Sequence, residues 1–347
     1  MATSINNSAW LQWIAGLMGG ASRQTYAAAL PPDRFYCLLD ELPLHLIPRA
    51  ARRSLRNDFC DQPLYRNPEC TIGAAEQIPQ ELVAHEDLLS GFALQGTIAW
   101  VRNEASGSLL PFWLGPESES LLRTIRPGEP VPMTTPVSLR QLLTAAGILI
   151  PANGQEQQYM TRDALRQNAS VLFRERGYAP LSGLIHPFHV AALRRYYRHR
   201  IRSGAIYLGD GQSDRRYVAH NEPVTRFFHR QIAAAFSAVA GEPLTPSYVY
   251  LASYLPGAVL KKHTDREQCD FSITFCLDFS PEPALATPWP IRLDAPTGTV
   301  TVYQALGDGL AYRGTRLPHY RGVLGAGQTS TSIFFHYVGA DFDGPLK

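Results

Sequence analysis

The chain has 347 residues, 45% of them apolar and 18% charged, with a formal net charge of +2. That composition excludes a disordered chain, and the charge gives no drive toward nucleic acid or membrane surfaces. The length suits two domains and a substantial core.

The cysteines are Cys37, Cys60, Cys70, Cys269 and Cys276. Their odd number and the lack of a close Cys-x-x-Cys pair fit reduced thiols in a cytoplasmic protein better than a zinc site or disulfide framework. A Cys60–Cys70 pairing stays open. The run from Ala9 to Ala21 reads as an amphipathic helix with Trp10, Trp13, Ile14 and Leu17 near one face. It is too short to span a bilayer and lacks the basic residues that precede a signal peptide. Between 22 and 155, helical runs from Phe35 to Leu46 and Gln80 to Leu89 alternate with Pro-rich connections. A hairpin is expected between Leu94 and Leu114 about Glu104–Gly107. A helix is expected at 116–125, and another at 138–150, N-capped by Ser138 and leading into a short strand. Hairpin and helices make a small α+β, winged-helix-like unit. It is faintly similar to the peptide-clasping domains of enzymes that modify ribosomal peptides; the plainer reading is a dimerisation or lid-supporting unit. Its histidines, His45 and His85, have no metal-ligand spacing.

The polar run 152–158 reads as a linker, dividing the chain into 1–155 and 156–347. Beyond it, Pro187 to Ser203 is a helix whose Arg194, Arg195, Arg198 and Arg202 form a basic side, read as a solvated face rather than a nucleic-acid patch. Residues 207–217 form a Gly/Asp-rich connection. Asn221 to Ala240 is a second helix, with Asn221 as N-cap, Pro223 in the first turn, Gly241 as the stop and Phe227, Ile232, Phe236 and Val239 as its apolar stripe. His186, His189, His199, His220 and His229 lie on or beside these helices and read as surface or satisfied core residues.

The texture then changes to short strands divided by Gly, Pro and Asp turns: Phe271 to Phe279, Thr299 to Tyr303, Leu310 to Tyr312 and Thr329 to Val338. This pattern indicates a β-sandwich or barrel. Within it stands Tyr254–Asp265, YLPGAVLKKHTD, followed by His319 in RLPHYRG. On a strand, residues i and i+2 face one way, so His263 and Asp265 can grip one metal, with His319 arriving from another strand. Two His and one carboxylate form a facial triad with open coordination positions, the ligand set of non-haem Fe(II) oxygenases. Arg266, Glu267 and Gln268 then fall at the rim, and His336 is read as lying outside the site.

These residues, at the spacing Tyr-x-Pro-Gly-x-x-Leu-x-x-His-x-Asp, resemble the Fe(II)/2-oxoglutarate-dependent dioxygenases of the prolyl-hydroxylase-like branch, over roughly residues 165–347. The resemblance implies an α+β chain: a C-terminal double-stranded β-helix (jelly roll) buttressed by helices, after a smaller mixed α+β N-terminal domain. It implies His263, Asp265 and His319 as iron ligands and Tyr254 in the 2-oxoglutarate pocket. It further implies hydroxylation of an unactivated C–H with Fe(II), 2-oxoglutarate and O₂, yielding succinate and CO₂. The basic residue that usually follows the distal His and holds the far carboxylate of 2-oxoglutarate is missing at Gln328–Ser330. Arg321 shares strand parity with His319 and takes that role, ahead of Arg313 and Lys262, with the Thr329 and Ser330 hydroxyls as supplements. The expected substrate is an amino-acid side chain in a peptide or protein. The alternatives are a small free metabolite and a non-catalytic binding protein on a degenerate jelly roll. No nucleic-acid or membrane partner is expected, and a homodimer is allowed.

Overall fold

A computed structural model describes residues 30–53, 55 and 62–346. The apolar run 9–21 and Cys60 lie outside the described residues. The chain is a mixed α/β protein dominated by antiparallel strands.

In the first half, the run from Phe35 to Leu46 is not an α-helix. It makes 3-10 turns at Leu39–Glu41 and Leu44–Leu46, separated at Pro43; proline lacks the N–H that would continue a helix. Gln80–Gly91 is likewise 3-10. Strands β1 (Leu64–Arg66), β2 (Thr71–Ala74), β3 (Thr97–Arg102) and β4 (Leu109–Trp113) follow. The expected hairpin is β3–β4, closed by Asn103, whose Oδ1 accepts from the backbone N–H of Ala105 and Ser106. Helix α1 is Pro116–Thr124 and α2 is Val137–Ala145. Ser138 does not cap α2; the N-cap is Pro136, and Ser138 sits inside the first turn. Strand β5 (Leu149–Pro151) pairs with β1.

The run 152–158 is not a linker. Gly154 opens α3, which continues to Arg176 and stops at Gly177 in the left-handed region. Its Gln, Glu, Ala, Leu and Arg residues are good helix formers, and the polarity that suggested a linker is the wet face of a surface helix. One contiguous cluster of buried apolar residues includes Phe35, Phe112, Trp113, Phe173, Phe228, Phe271 and Tyr337, so it crosses residue 155.

The second half holds β6 (Tyr178–Leu181), α4 (Pro187–Arg202), β7 (Tyr207–Leu208), β8 (Arg216–His220), α5 (Pro223–Ala240) and β9 (Leu244–Tyr254). Next come β10 (Leu260–His263), β11 (Phe271–Ser280), β12 (Ile291–Ala295), β13 (Gly298–Val302), β14 (Gly309–Arg313), β15 (His319–Arg321) and β16 (Thr329–Gly339). A seven-stranded sheet runs β6-β14-β11-β16-β9-β8-β7, and a four-stranded one runs β10-β15-β12-β13. The sheets pack through Ile291 and Leu293 of one against Leu310 and Tyr312 of the other.

Helix α4 overturns the reading of three of its four arginines; Arg202 stays exposed. Arg194 is 1% exposed. Its Nε lies 2.9 Å from Asp278 Oδ1, and its Nη2 lies 3.1 Å from Glu282. Arg198 reaches the other oxygen of Asp278 at 2.6 Å, and Arg195 donates to the Tyr36 carbonyl. The basic side thus ties the helix to β11 and to the N-terminal half; charges so placed must be paired. Asn221 is not the cap of α5. It takes φ 50°, and Glu222 is the N-cap, accepting from Val224 and Thr225 N–H and from the Tyr196 and Tyr197 hydroxyls. Cys37, Cys70, Cys269 and Cys276 are buried free thiols. Among the described residues, no helix is long and apolar enough to cross a membrane.

Candidate metal centre

The stretch between β9 and β10 turns on Gly257, whose φ of 81° lies in the region glycine tolerates at no steric cost. This returns β10 to pair with β15, placing His263 directly opposite His319. Beyond β10 the Asp265 N–H bonds the Gly314 carbonyl at 2.9 Å, which swings its carboxylate under both rings. A side chain at Gly314 would collide with Asp265 Oδ2 and the Cys269 carbonyl, so only glycine allows this approach.

The three residues expected to act together do converge. Asp265 Oδ1 lies 3.6 Å from His263 Nε2 and 3.5 Å from His319 Nε2. These separations are long for hydrogen bonds. They are close to the spacing of donors that share an ion at about 2.1 Å from each. Both imidazoles are pinned by their other nitrogen: His263 Nδ1 faces the Lys261 carbonyl at 2.8 Å and His319 Nδ1 faces that of Leu317 at 3.0 Å. A carbonyl only accepts, so Nδ1 carries the proton and each Nε2 presents a lone pair to the common point. Burial opposes the charge on Asp265, but the two imidazoles outweigh it and hold its carboxyl well below the usual range. The Asp265 carboxylate in turn raises the pKa of His263. The His319 side chain is 3% exposed and that of His263 38%, so the centre opens on the His263 flank.

A second group among the described residues, Asp265, Cys269 and His336, also brings potential ligand atoms within 4.8 Å of one another. It is a poorer donor set. Burial pushes the Cys269 thiol up to about 12, and only a thiolate ligates well. His336 nevertheless belongs beside the centre, contrary to the sequence reading. Its Nδ1 lies 2.8 Å from Ser272 Oγ, which lies 3.1 Å from Asp265 Oδ2. Ser272 has one proton to give, and the Asp265 carboxylate and the Cys269 carbonyl both lie 3.1 Å from its Oγ; with His336 donating to Oγ, the charged carboxylate is the stronger acceptor. Serine at this spot carries no local sequence signal. Ser272→Ala is expected to weaken metal binding roughly 10–100-fold with little effect on folding, as read by calorimetric titration with a divalent metal ion.

Between the two sheets, Arg321 is 3% exposed and shares the inward face of β15 with His319. It donates to the Trp289 carbonyl at 2.6 Å and to Gln304 Oε1 at 3.0 Å, its Nε has no partner, and it forms no ion pair among the described residues. Burial lowers its pKa. Tyr254 packs edge-on against Trp289, with ring centroids 5.0 Å apart, and the Arg321 guanidinium lies 5.0 Å from the Trp289 ring. Ser330 is buried and pairs with Tyr254 across β16 and β9. The other two cations singled out are engaged elsewhere: Lys262 with Asp294, and Arg313 with Asp270 and Glu242. Arg266 donates to the Tyr248 hydroxyl, and Gln268, expected at the rim, is buried and donates to the Pro345 carbonyl.

No family profile and no curated protein matches the chain. Solved structures match about half of it. SnoN, a non-heme alpha ketoglutarate-dependent epimerase from nogalamycin biosynthesis, is 17% identical over 51% of this chain and 82% of its own, with a TM-score of 0.43. AviO1 from Streptomyces viridochromogenes Tue57 is 19% identical over 52% and 97%, also at 0.43. A prolyl-4-hydroxylase from Pseudomonas putida is 17% identical over 50% and 99%, at 0.40.

Proposed function

We propose that the chain is an Fe(II)- and 2-oxoglutarate-dependent oxygenase of the prolyl-hydroxylase-like kind, with its two facing sheets as a double-stranded β-helix. In this reading it hydroxylates an unactivated C–H of an amino-acid side chain in a peptide or protein. The observation that carries the reading is the convergence of His263 Nε2, His319 Nε2 and Asp265 Oδ1, with both Nδ1 atoms bonded to backbone carbonyls. Two imidazoles and one carboxylate suit ferrous ion and leave positions for further ligands. When bound, iron and 2-oxoglutarate supply the activation of O₂ and the oxidation of the C–H bond.

The chain's own residues bind, orient and shield. His263, Asp265 and His319 would hold the ion, and Ser272 fixes the carboxylate that helps to hold it. Arg321 would hold the far carboxylate of 2-oxoglutarate, because a buried guanidinium without an anion is costly and a dicarboxylate supplies the missing charge. Its planar fork can meet both carboxylate oxygens, which a lysine could not. Tyr254 and Ser330 place hydroxyl-bearing side chains on the neighbouring strands β9 and β16. The exposed flank of His263 is where substrate would enter. The N-terminal half would serve substrate recognition or self-association.

Arg321→Met is expected to raise the 2-oxoglutarate KM about 10–100-fold, the worth of a charge-assisted bond of about 1.5–3 kcal/mol. An unchanged KM sinks the assignment. The reading as a whole is tested by iron- and 2-oxoglutarate-dependent succinate formation against a panel of peptides and free metabolites. Stimulation by peptides supports it, stimulation by a metabolite alone reassigns the substrate, and no turnover with any leaves the binding-protein alternative.

A further inference from the structure

A cavity of about 410 Å³ lies between the N-terminal half and the end of the barrel remote from the metal centre. Its barrel wall is the turn Leu306–Asp308, which enters β14 at Gly309. The metal centre lies past the opposite end of that strand, where Gly314 bonds Asp265. The volume is within the ordinary range for small-molecule sites. Leu110 and Phe112 of the hairpin, Ala146 after α2, Leu165 of α3 and Val190 of α4 give it an apolar body.

Two acids line the cavity, Asp308 on the barrel wall and Glu104 of the hairpin, and Glu104 already has a partner. Asp308 Oδ2 accepts from the Ala305 N–H at 2.9 Å, and Asp308 makes no ion pair among the described residues. Burial without a neighbouring cation raises its carboxyl pKa. The basic groups that share the wall are committed. Arg102 is bound by Glu81 and by the Gly107 carbonyl. His186 is buried, its pKa lowered to about 4 by desolvation, and it bonds the Ala145 carbonyl.

We propose that this cavity is a second binding site, for a small amphiphilic amine whose apolar body lies against Phe112, Leu165 and Val190 and whose ammonium group meets Asp308. A carboxylate ligand would face an uncompensated acid, and a neutral one would leave Asp308 without a counter-charge.

The test titrates the full-length protein at pH 7.5 by calorimetry with 2-phenylethylamine, 2-phenylethanol and 3-phenylpropanoate. The amine is expected to bind at least about ten-fold more tightly than the alcohol or the acid. Asp308→Asn keeps an acceptor for Ala305 and is expected to erase that preference. Leu165→Trp, at a position 39% exposed on the rim, is expected to fill the cavity and abolish binding. Both variants should bind metal at His263, Asp265 and His319 as the unaltered chain does, which checks the fold. Three probes of equal affinity, no binding of the amine below about 1 mM, or a preference that survives Asp308→Asn overturns the proposal.

Discussion

The His319→Ala protein is expected to bind no ferrous ion at concentrations that saturate the unaltered chain, and to form no succinate. Removing it takes away one of three donors that meet within 3.6 Å of a common carboxylate oxygen. The remaining pair, His263 and Asp265, is the more exposed part of the centre, where water competes best. The loss should exceed the roughly 10–100-fold that follows removal of an outer partner, and so exceed that of Ser272→Ala. The fold should persist, because β15 stays paired with both β10 and β12 through its backbone. The competing site is Asp265, Cys269 and His336. If His319→Ala still takes up metal while His336→Ala does not, that second group is the centre and the assignment made above is wrong.

Acid is expected to destabilise the protein steeply between pH 7.5 and 5.5, well before its carboxylates titrate. Three histidines outside the metal centre are buried and neutral. His186 bonds the Ala145 carbonyl, His189 that of Pro111 and His229 that of His336. Desolvation is the largest cause in each case, and it lowers the pKa of His186 to about 4 and those of His189 and His229 to about 3. The unfolded chain titrates near 6.5 at these positions. Below that value the unfolded state binds protons that the native state refuses, so stability falls with pH until the folded pKa values are reached. Each residue contributes on the order of 1 kcal/mol over the interval, and the three together contribute a few kcal/mol. That is a large part of the 5–15 kcal/mol typical of folded chains. Urea unfolding at the two pH values measures it. His189→Asn should shrink the difference by about a third, and a flat profile would show that these rings take up protons without unfolding.

Much of the candidate site was legible in the sequence because its signal is local. His263 and Asp265 stand two apart on an extended segment, and the tight Pro256–Gly257 turn before them needs a residue that accepts positive φ. Arg321 was readable for the same reason: parity along three residues of β15 set both it and His319 inward. Strands β11, β13, β14 and β16 followed from β-branched and aromatic runs, and the apolar stripe of α5 from its period of 3.6.

What was missed depends on partners distant in the chain. The arginines of α4 look like a wet basic face until Asp278, 84 residues after Arg194, arrives from β11. His336 looked remote until Ser272, 64 residues before it, was placed beside it by the β11–β16 register. The polarity of Gln155–Gln158 is equally compatible with a linker and with the exposed face of a helix, and packing of α3 against the core decided between them. Likewise Asn221 and Ser138 are good caps by type. Glu222 and Pro136 hold those positions because the hydroxyls of Tyr196 and Tyr197 and the preceding loop set where each helix begins.

The sequence by itself therefore pointed to His263, Asp265 and His319 as a candidate ligand set and to the kind of element they stand on, since side-chain chemistry and strand parity are properties of neighbouring residues. Only the tertiary structure decided which cation is left buried without an anion. Strand parity singled out Arg321 over Lys262 and Arg313, but it does not say which of the three keeps a carboxylate partner. Sheet pairing gives Lys262 and Arg313 carboxylate partners at the surface and carries Arg321 between the sheets beside Trp289 and Gln304, where desolvation makes its unpaired charge costly.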